Sequence, residues 1–474
     1  MTDFWRQQRI DRISHPDRPG FSVHAVEYPS GAYFLHVRGQ FLMTYQAEAV
    51  LDLTDPSNPD HSFFSPHVVV DDFTGSDSPL FVSGIRAWNY TGPEALPGLV
   101  AKLQTRAWKR VADGTIPADA DQTITQGQCT VALHYVVTGE KTWMPLGGPA
   151  HAPSAAPSPS PREWGSGSPV VAVVDTGLDL SSATARQEED ENNVWILDRD
   201  ADADTLYATL PDGGRTPELA AEAGHGTFIT SVVERMAGGL VPVVNVRALE
   251  PDGFGTEASV LAALDRLVKR WPGIPVVNMS FGAYTDPTDY SVLDDDVKDA
   301  QPPNSPPLAL GPWLSTYIDS QRDTVFVAAA GNCGQPTTPF WPAAIDGVIA
   351  VASLAPDLTK SLFSNYGAWV DVCTVGEDIV GDYPTGEYPI SATRSESLSG
   401  GARWSGTSFA APIFAAEVAR LCAVPPAPGK PPKKGPEVAD HLIRDLQHHH
   451  GPPGCGVLWD PVRWVGIDPR TPLP

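Results

Sequence analysis

The chain has 474 residues, of which 42% are hydrophobic and 19% are charged, and its formal net charge at pH 7 is −25. This length predicts two domains, or one large domain with additions, in a soluble globular protein. The negative charge argues against nucleic acid and anionic membrane surfaces as partners, because both would repel it. No stretch approaches the ~20 continuous apolar residues of a membrane span. We therefore expect neither kind of partner.

The first residues and the cysteines bear on location. The segment from Met1 to Arg9 lacks the apolar core of a secretion signal. Five cysteines, an odd number spread widely along the chain, do not have the pattern of a disulfide framework. We predict reduced thiols and a cytoplasmic protein. An exported protein whose signal had been removed would show the same features, so that alternative stays open.

Residues 1 to 148 have the composition of a small α+β domain. The run from Pro97 to Arg110 has helical spacing, with Val100, Leu103 and Ala107 on its inward side. Four runs have the composition of strands: Phe21 to Tyr28, Ala32 to Tyr45, Val68 to Asp72 and Thr130 to Thr138. We find no catalytic or metal-ligating pattern in this region.

Residues 149 to 168 are dominated by proline, alanine and serine, which cannot build a core and therefore predict a semi-extended linker. So sharp a change in composition marks a domain boundary. The second domain is predicted to span residues 169 to 450 and to include a last helix from Pro436 to Gln447. The tail, residues 451 to 474, carries two tryptophans and is expected to dock on the second domain.

From residue 169 onward, short apolar runs alternate with helical patterns. Near-continuous runs of valine, isoleucine and alanine predict a parallel sheet that is buried on both faces. The strand-like runs are Val170 to Val174, Val241 to Leu249, Pro275 to Met279, Thr324 to Ala330, Gly347 to Ala352 and Trp369 to Val375. The helical runs are Thr227 to Met236, Ala258 to Trp271 and Leu308 to Arg322. Chemistry gathers at the carboxyl ends of the strands in such sheets, and each motif below lies at such an end or at the helix start that follows.

An aspartate closes the first of these strands, in the sequence Val171-Ala172-Val173-Val174-Asp175. A carboxylate at the end of a buried strand is costly unless it is paired. Asp175 is therefore a candidate for orienting a histidine. A helix-cap or turn aspartate is the structural alternative.

A histidine stands between two glycines, Gly224 and Gly226, directly before an apolar helical face. A core histidine would more often lie inside the apolar pattern, so we expect His225 to be exposed at the start of a helix. In that place it can act as a general base.

A serine follows Gly406 and Thr407 and precedes an apolar run from Phe409 to Val424 that predicts a buried helix. Ser408 then lies in the first turn, where free backbone N–H groups and the positive end of the helix dipole gather. A hydroxyl there can attack a carbonyl, and the oxygen that becomes negative finds donors beside it. An ordinary helix N-cap is the alternative.

The strand from Val325 to Ala330 is followed by Gly331 and Asn332. An asparagine amide can donate a hydrogen bond to an oxyanion without titrating. A turn asparagine is the alternative.

The strand from Pro275 to Met279 leaves the sheet through Ser280 and Gly282. Small residues at this point would let an extended peptide lie alongside and pair through its backbone.

Taken in order, three motifs resemble those of the subtilisin-like serine peptidase family: Asp175-Thr176-Gly177, His225-Gly226-Thr227 and Gly406-Thr407-Ser408-Phe409-Ala410-Ala411-Pro412. The order Asp, His, Ser is the one known for subtilisin itself. The resemblance covers roughly residues 169 to 424. It implies an α/β, subtilisin-like three-layer fold with a mostly parallel sheet, beside the smaller N-terminal α+β domain.

The resemblance also implies roles for the side chains. Ser408 would be the nucleophile and His225 the base, while Asp175 would hold the imidazole tautomer and stabilise the imidazolium. Asn332 and the backbone N–H of Ser408 would form the oxyanion hole. The residues implied to bind substrate are Asn278, Ser280, Phe281, Gly282, Ala330, Gly331 and Phe340.

Two features depart from the family pattern. Asp175 and His225 lie 50 positions apart, a long interval that includes alternating aspartates from Asp198 to Asp204. Such a run can bind calcium, but Ala203 stands where an EF-hand loop has glycine, so a solvated acidic loop is favoured and no metal site is predicted. Phe340 is bulky at the floor of the implied specificity pocket, which favours smaller substrate side chains.

The sequence therefore predicts a serine endopeptidase that acts on polypeptides through an acyl-enzyme and needs no organic cofactor. The N-terminal domain is about twice the length of a usual pro-segment of secreted relatives. We therefore favour a retained regulatory domain that can receive a protein partner. The alternatives are a scaffold that uses the fold without turnover, and an enzyme held latent until a partner engages residues 1 to 150.

Overall fold

The structure is a computed structural model of the chain. The residues whose placement it describes are 23–27, 33–53, 68–70, 84–138, 149–151, 170–181, 194–196, 206–207, 218–238, 241–288, 302–320, 322–391, 394–424 and 433–471.

An antiparallel sheet with two helices forms the N-terminal part. The strands are β1 (Val23–Glu27), β2 (Tyr33–Thr44), β3 (Val68–Val70), β4 (Ile85–Tyr90) and β5 (Val131–Thr138), and the helices are α1 (Tyr45–Leu51) and α2 (Leu96–Ala112). Strands β5, β2, β4 and β3 are neighbours in that order, and β1 pairs with β2. Val100, Leu103 and Ala107 of α2 are buried in one core with Phe41 and Leu133 of the sheet, so the helix covers one sheet face with the side predicted from its spacing.

A parallel sheet forms the centre of the second part. Its strands, in spatial order, are β19 (Val457–Leu458), β14 (Val372–Val375), β13 (Val348–Leu354), β12 (Val325–Ala329), β11 (Val276–Met279), β7 (Val171–Asp175), β9 (Val243–Arg247) and β8 (Val194–Ile196). Every neighbouring pair in this sheet is parallel. Six of these eight strands overlap the apolar runs that predicted a parallel sheet, whereas β8 and β19 were not predicted.

Helices cover both faces of this sheet and give the three-layer α/β fold expected from the sequence. They are α3 (His225–Met236), α4 (Glu257–Arg270), α5 (Leu310–Ser320), α6 (Thr407–Cys422) and α7 (Gly435–Asp445). Helices α3 and α6 share one core with the sheet, and α4 and α5 share another. The second core also takes in Leu42, Ile85 and Ala132 from the N-terminal sheet. That sheet therefore packs on the α4–α5 side of the second part.

Short strands and the C-terminal residues complete the fold. They are β6 (Ala150–His151), β15 (Ile379–Asp382), β16 (Gly386–Ser391), β17 (Arg394–Leu398), β18 (Gly401–Trp404) and a helix α8 (Pro461–Val465). Two residues of the predicted linker, Ala150 and His151, form β6, because the edge of β18 offers backbone partners. Residues 152–168 of the predicted linker lie outside the described residues. The tail is attached through β19 and through a bond from Arg235 Nη2 to the carbonyl of Pro469 at 2.6 Å.

One strand of the second part belongs to the N-terminal sheet. Strand β10 (Phe254–Thr256) pairs antiparallel with β5, so that Thr256 lies opposite Val136 and Phe254 opposite Thr138. The two parts of the chain are therefore joined by backbone hydrogen bonds as well as by side-chain packing. Among the described residues, no helix is both long and apolar enough to cross a lipid bilayer.

Candidate active site

Asp175 ends β7 with its side chain fully buried. Its carboxylate Oδ1 accepts a hydrogen bond from the N–H of Thr176 at 2.8 Å. Its backbone carbonyl accepts from Ala248 and Leu249, at 2.7 and 3.1 Å. These bonds hold the carboxylate at the carboxyl end of the strand, as the pattern of an apolar run closed by an acid predicts.

His225 is the first residue of α3, and its ring Nδ1 lies 2.7 Å from Asp175 Oδ1. Because a carboxylate only accepts, Nδ1 carries the proton and donates it in this bond, which leaves Nε2 as the acceptor. A Cβ at Gly226 would overlap the carbonyl oxygen of Gly177 and lie 3.2 Å from Asp175 Cβ. The glycine after the histidine is therefore what lets α3 start this close to the end of β7.

The side chain of His225 is 1% exposed, so the expectation of an exposed histidine is wrong. The ring of Trp404 lies 5.3 Å from the imidazole centroid in an edge-to-face arrangement, and the ring of Phe409 lies 5.4 Å away. These rings cover the imidazole from both sides of Gly406-Thr407-Ser408 in the chain, because Trp404 lies two residues before Gly406 and Phe409 directly follows Ser408. The serine motif is therefore packed against the histidine.

Ser408 is the second residue of α6, in the first turn, as predicted. Its Oγ donates to the carbonyl of Ser280 at 3.2 Å, and its own carbonyl accepts from Ser280 Oγ at 2.8 Å. The first N–H groups of a helix have no partner inside it and carry partial positive charge. The hydroxyl therefore lies where negative charge that develops on a nearby oxygen is stabilised.

Asn332 follows β12 and is 1% exposed. Its Oδ1 accepts from the backbone N–H and the hydroxyl of Thr407, at 2.7 and 2.9 Å. Because a backbone N–H can only donate, these contacts fix the amide orientation, and Nδ2 lies on the other side. A Cβ at Gly406 would be 3.5 Å from Nδ2, so this donor lies beside the start of α6, at a residue two positions before Ser408.

The residues implied to bind substrate lie around this site in different ways. Ser280 contacts Ser408, and Gly282 exchanges two backbone hydrogen bonds with Thr138. The side chains of Asn278 and Phe281 are fully buried, and Asn278 Nδ2 donates to Ser280 Oγ at 2.9 Å. Asn278 thus supports Ser280 from beneath, and Phe281 can reach a substrate only through its backbone.

Ala330, Gly331 and Phe340 are the remaining residues that the resemblance implies bind substrate. The carbonyl of Ala330 accepts from Asn365 Nδ2 at 2.8 Å, and the N–H of Gly331 donates to Thr407 Oγ1 at 3.1 Å. Phe340 is 2% exposed, and the peptide bond between Trp341 and Pro342 is cis. The structure thus brings Ala330 and Gly331 to the same helix start as Asn332.

Several residues that support the site received no role from the sequence. Thr407 stands in the serine motif, but only the structure shows that its hydroxyl joins Gly331 to Asn332. Asn365 accepts from the N–H groups of Cys333 and Gln335, at 3.2 and 2.9 Å, and no spacing in the chain indicates this.

No group of three or more histidine, cysteine, aspartate or glutamate side chains is arranged to hold a metal ion in the part of the chain that the structure describes. The aspartate run from Asp198 to Asp204, for which calcium binding was considered, lies outside the described residues.

The sequence of this chain matches a known protein family. The model of the subtilase family of peptidases matches residues 166–450, which is more than half of the chain. The chain belongs to the subtilase family. Asp175, His225 and Ser408 all lie inside the matched residues, and the subtilase match begins just before β7.

Several named proteinases are similar to this subtilase. A thermophilic serine proteinase of Bacillus sp. (strain AK1) is 29% identical over 257 residues, which are 54% of this chain and 53% of the relative. The subtilisin-like serine protease Pen ch 13 of Penicillium rubens is 29% identical over 54% of this chain and 52% of its own. Thermitase of Thermoactinomyces vulgaris is 32% identical over 43% of this chain and 62% of its own. The chain spans about half the length of the first two relatives.

Solved structures of other proteins also match part of this chain. The crystal structure of a lanthipeptide protease matches 61% of this chain and 83% of its own, with 21% identity and a TM-score of 0.43. That of a cold-adapted subtilisin-like serine proteinase matches 61% of this chain and 86% of its own, with 19% identity and a TM-score of 0.38.

Proposed function

We propose that the chain is a serine endopeptidase that hydrolyses peptide bonds through Asp175, His225 and Ser408. The observation that carries the proposal is the buried 2.7 Å bond from His225 Nδ1 to Asp175 Oδ1, with the Ser408 motif packed on the same imidazole. This bond leaves Nε2 as the proton acceptor, as a general base requires.

The chemistry follows from the placement of these groups. Ser408 Oγ attacks the carbonyl carbon of the substrate while His225 Nε2 takes the hydroxyl proton. The carbonyl oxygen becomes negative, and Asn332 Nδ2 and the N–H of Ser408 stabilise it. Imidazolium then gives its proton to the leaving amine, and the C–N bond breaks. A water molecule, deprotonated by the same imidazole, attacks the acyl-enzyme and releases the acid and the free serine.

We further propose that the N-terminal part regulates this site. Strand β5 lies between β10 and Gly282, and its last residue, Thr138, exchanges backbone bonds of 2.7 and 2.9 Å with Gly282. A peptide that lies between two edges in this way gains hydrogen bonds on both sides. Strand β5 therefore occupies the strand position that the sequence assigned to a substrate.

The antiparallel register between β5 and the segment from Ser280 to Gly282 leads the next residues of a peptide toward Ser408. In an antiparallel pair, the residue two positions beyond the one opposite Gly282 comes opposite Ser280. The carbonyl of Ser280 is 3.2 Å from Ser408 Oγ. A peptide in the register of β5 thus brings its next residues to the nucleophile, and β5 competes with any other peptide for that path.

The buried carboxylate of Glu257 strengthens the attachment of β5 to the second part of the chain. Glu257, the first residue of α4, accepts from the N–H of Tyr135 at 3.1 Å through Oε1 and from the N–H of Ala309 at 2.8 Å through Oε2. Burial raises the pKa of Glu257 to about 7, and the backbone donors act in the opposite direction. In its ionised form the carboxylate accepts charge-assisted hydrogen bonds, which hold β5 on the second part more strongly than bonds to a neutral acceptor do.

For location and partners, the proposal is a cytoplasmic enzyme whose substrates are polypeptides and whose N-terminal part can receive a protein partner. All five cysteines lie in described residues, and each is a free thiol: Cys129, Cys333, Cys373, Cys422 and Cys455. Free thiols fit a reducing compartment. The mechanism above calls for no organic cofactor.

Labelling with a small fluorophosphonate tests the activity. The probe is applied to the full-length wild type, to Ser408→Ala and to Thr138→Pro, which lacks the N–H that holds β5 on Gly282. We expect one label on Ser408 in the wild type or in Thr138→Pro, and none in Ser408→Ala. If the wild type and Thr138→Pro both stay unlabelled while folded, the chain is a scaffold without turnover and the proposal is wrong.

A further inference from the structure

A buried asparagine outside the three motifs holds the loop that carries Asn332. This loop, the Asn332 loop, is residues 330–335 and directly follows β12. Asn365 is fully buried, and its Oδ1 accepts from the backbone N–H groups of Cys333 and Gln335, at 3.2 and 2.9 Å. These two bonds fix the half of the loop that follows Asn332.

The half of the loop before Asn332 is held by the same residue. Because Oδ1 accepts from two N–H groups, the amide orientation is fixed and Nδ2 is the donor on the other side. Nδ2 donates to the carbonyl of Ala330 at 2.8 Å, and the backbone N–H of Asn365 donates to the carbonyl of Gly331 at 2.9 Å. Asn365 therefore bonds the Asn332 loop on both sides of Asn332.

The amide also ties the Asn332 loop to the segment that leaves β11. Nδ2 donates a second bond to Tyr284 Oη at 2.7 Å, and Tyr284 lies two residues after Gly282. A Cβ at Gly331 would overlap Nδ2, so a glycine is needed for this close approach. The four hydrogen bonds that an asparagine amide can make are thus all used here. A fully satisfied buried group of this kind holds its neighbours in one arrangement.

The position of Asn332 Nδ2 depends on this support. Asn332 Oδ1 accepts from the backbone N–H and the hydroxyl of Thr407, at 2.7 and 2.9 Å. A shift of the Asn332 loop would turn the amide about these bonds and move Nδ2. A donor to an oxyanion must lie about 2.7–3.1 Å from the oxygen, and a displacement of about 1 Å can lower a rate about 100-fold.

We propose that Asn365 is a positioning residue for the oxyanion donor and acts on the reaction through the Asn332 loop, without touching the substrate. This inference rests on the proposed peptidase activity. It assigns part of the stabilisation of the transition state to a side chain that lies 33 positions beyond Asn332 in the chain. Its loss should therefore matter only while Asn332 is there to donate.

A double-mutant cycle on the full chain, with a peptide p-nitroanilide as substrate, tests this role. Asn365→Ala should lower kcat by about tenfold or more, with a smaller change in KM. Asn332→Ala alone should lower kcat by about 10²–10³-fold. When Asn365→Ala is added to Asn332→Ala, kcat should fall by less than about threefold further, because the donor that Asn365 positions is already absent. Falls in kcat that multiply in the double variant would overturn the inference.

A second variant and a matched control separate positioning from a general loss of structure. Asn365→Asp keeps the volume and the acceptor for Cys333 and Gln335 but not the Nδ2 donor. It replaces Asn365→Ala in the cycle if the alanine variant does not fold, with the same expected result. The control is Ser361→Ala, because Ser361 is equally buried four residues earlier and its hydroxyl shares a 2.8 Å hydrogen bond with that of Ser353. It should keep the wild-type kcat, and a fall as large as that in Asn365→Ala would contradict the inference.

The failure of this inference and the failure of the proposed activity give different results. If neither the wild type nor Thr138→Pro takes a fluorophosphonate label, the proposed activity is wrong and the role of Asn365 falls with it. If only Thr138→Pro is active, every member of the cycle carries that substitution. Labelling of Ser408 together with multiplying falls in kcat would leave the activity standing and overturn only the role of Asn365.

Discussion

Thr138 and Gly282 exchange two backbone hydrogen bonds, of 2.7 and 2.9 Å, although they lie in different parts of the chain. Thr138 ends the N-terminal sheet, and Gly282 follows the strand that leads to Ser280 and the nucleophile. The pair therefore ties the N-terminal part directly to the path that a substrate must take. Under the proposed regulation, access to Ser408 depends on the stability of this pairing.

Thr138→Pro should open that path. Proline has no N–H and cannot donate to the Gly282 carbonyl, and its ring crowds the paired strand. Each lost hydrogen bond weakens the pairing of β5 with Gly282 by about 1 kcal/mol or more. We therefore expect a fluorophosphonate to label Ser408 about tenfold faster in this variant than in the wild type.

The matched control is Thr138→Val, which keeps both backbone bonds and nearly the same volume. It should label at the wild-type rate. If Thr138→Pro labels no faster than Thr138→Val, β5 does not restrict access to Ser408.

The carboxylate of Asp175 should contribute through charge as well as through orientation. Its Oδ1 accepts both from Thr176 and from His225, so an asparagine that places its oxygen there keeps the ring in position but supplies no negative charge. We expect Asp175→Ala to lower kcat by about 3 × 10⁴-fold, a figure that comes from subtilisin itself, and Asp175→Asn by at least about 10³-fold. Steady-state cleavage of a peptide measures both. An Asp175→Asn enzyme within tenfold of the wild type would contradict the role of the charge.

Much of this site could be predicted from local pattern. Strand β7 and helix α6 are near-continuous apolar runs, so their bounds and the polar residues at their ends could be recognised in the sequence. Parallel strands bring their carboxyl ends to one edge, and this is why Asp175 and Asn332, far apart in sequence, both contribute to the site. The helix start at Ser408 followed from the same apolar pattern.

Long-range contacts account for what the sequence did not show. Strand β10 has three residues and exists because β5 offers it partners, so no local period could reveal it. The burial of His225 comes from Trp404 and Phe409, which lie far along the chain. The resemblance implied that Phe340 is bulky at the floor of a specificity pocket, but only the structure shows that its ring lies against both Gly282 and Gly331.

The amide of Asn332 should act mainly in the transition state. In Asn332→Asp, one oxygen still accepts from Thr407, while the other replaces the Nδ2 donor and opposes an oxyanion. We expect kcat to fall by at least about 10²–10³-fold, a range known from subtilisin, with little change in KM. Thr407→Ser keeps the hydroxyl that contacts Asn332 and should stay near wild-type activity. A rise in KM at unchanged kcat would place Asn332 in substrate binding instead.

Glu234, in helix α3, should make the stability of the fold depend on pH. This residue is 5% exposed, and burial, reinforced by Asp382, raises the pKa of its carboxyl group to about 8 from the usual 4.5. The folded state therefore binds this proton more tightly than the unfolded state does. The contribution of Glu234 to stability is fully present below about pH 4.5 and is lost as the pH rises through about 8.

Glu234→Gln should therefore raise the free energy of unfolding, and by more at alkaline pH. Glutamine fills the same volume and cannot ionise, so the gain over the wild type should grow from near zero at pH 4.5 to at most about 5 kcal/mol above pH 8. Urea unfolding at pH 5, 7 and 9 measures this difference. Glu437→Gln, at an exposed position in α7, is the control and should follow the wild type at every pH. A gain for Glu234→Gln that is the same at pH 5 and pH 9 would mean that this carboxyl does not titrate in the folded state over that interval.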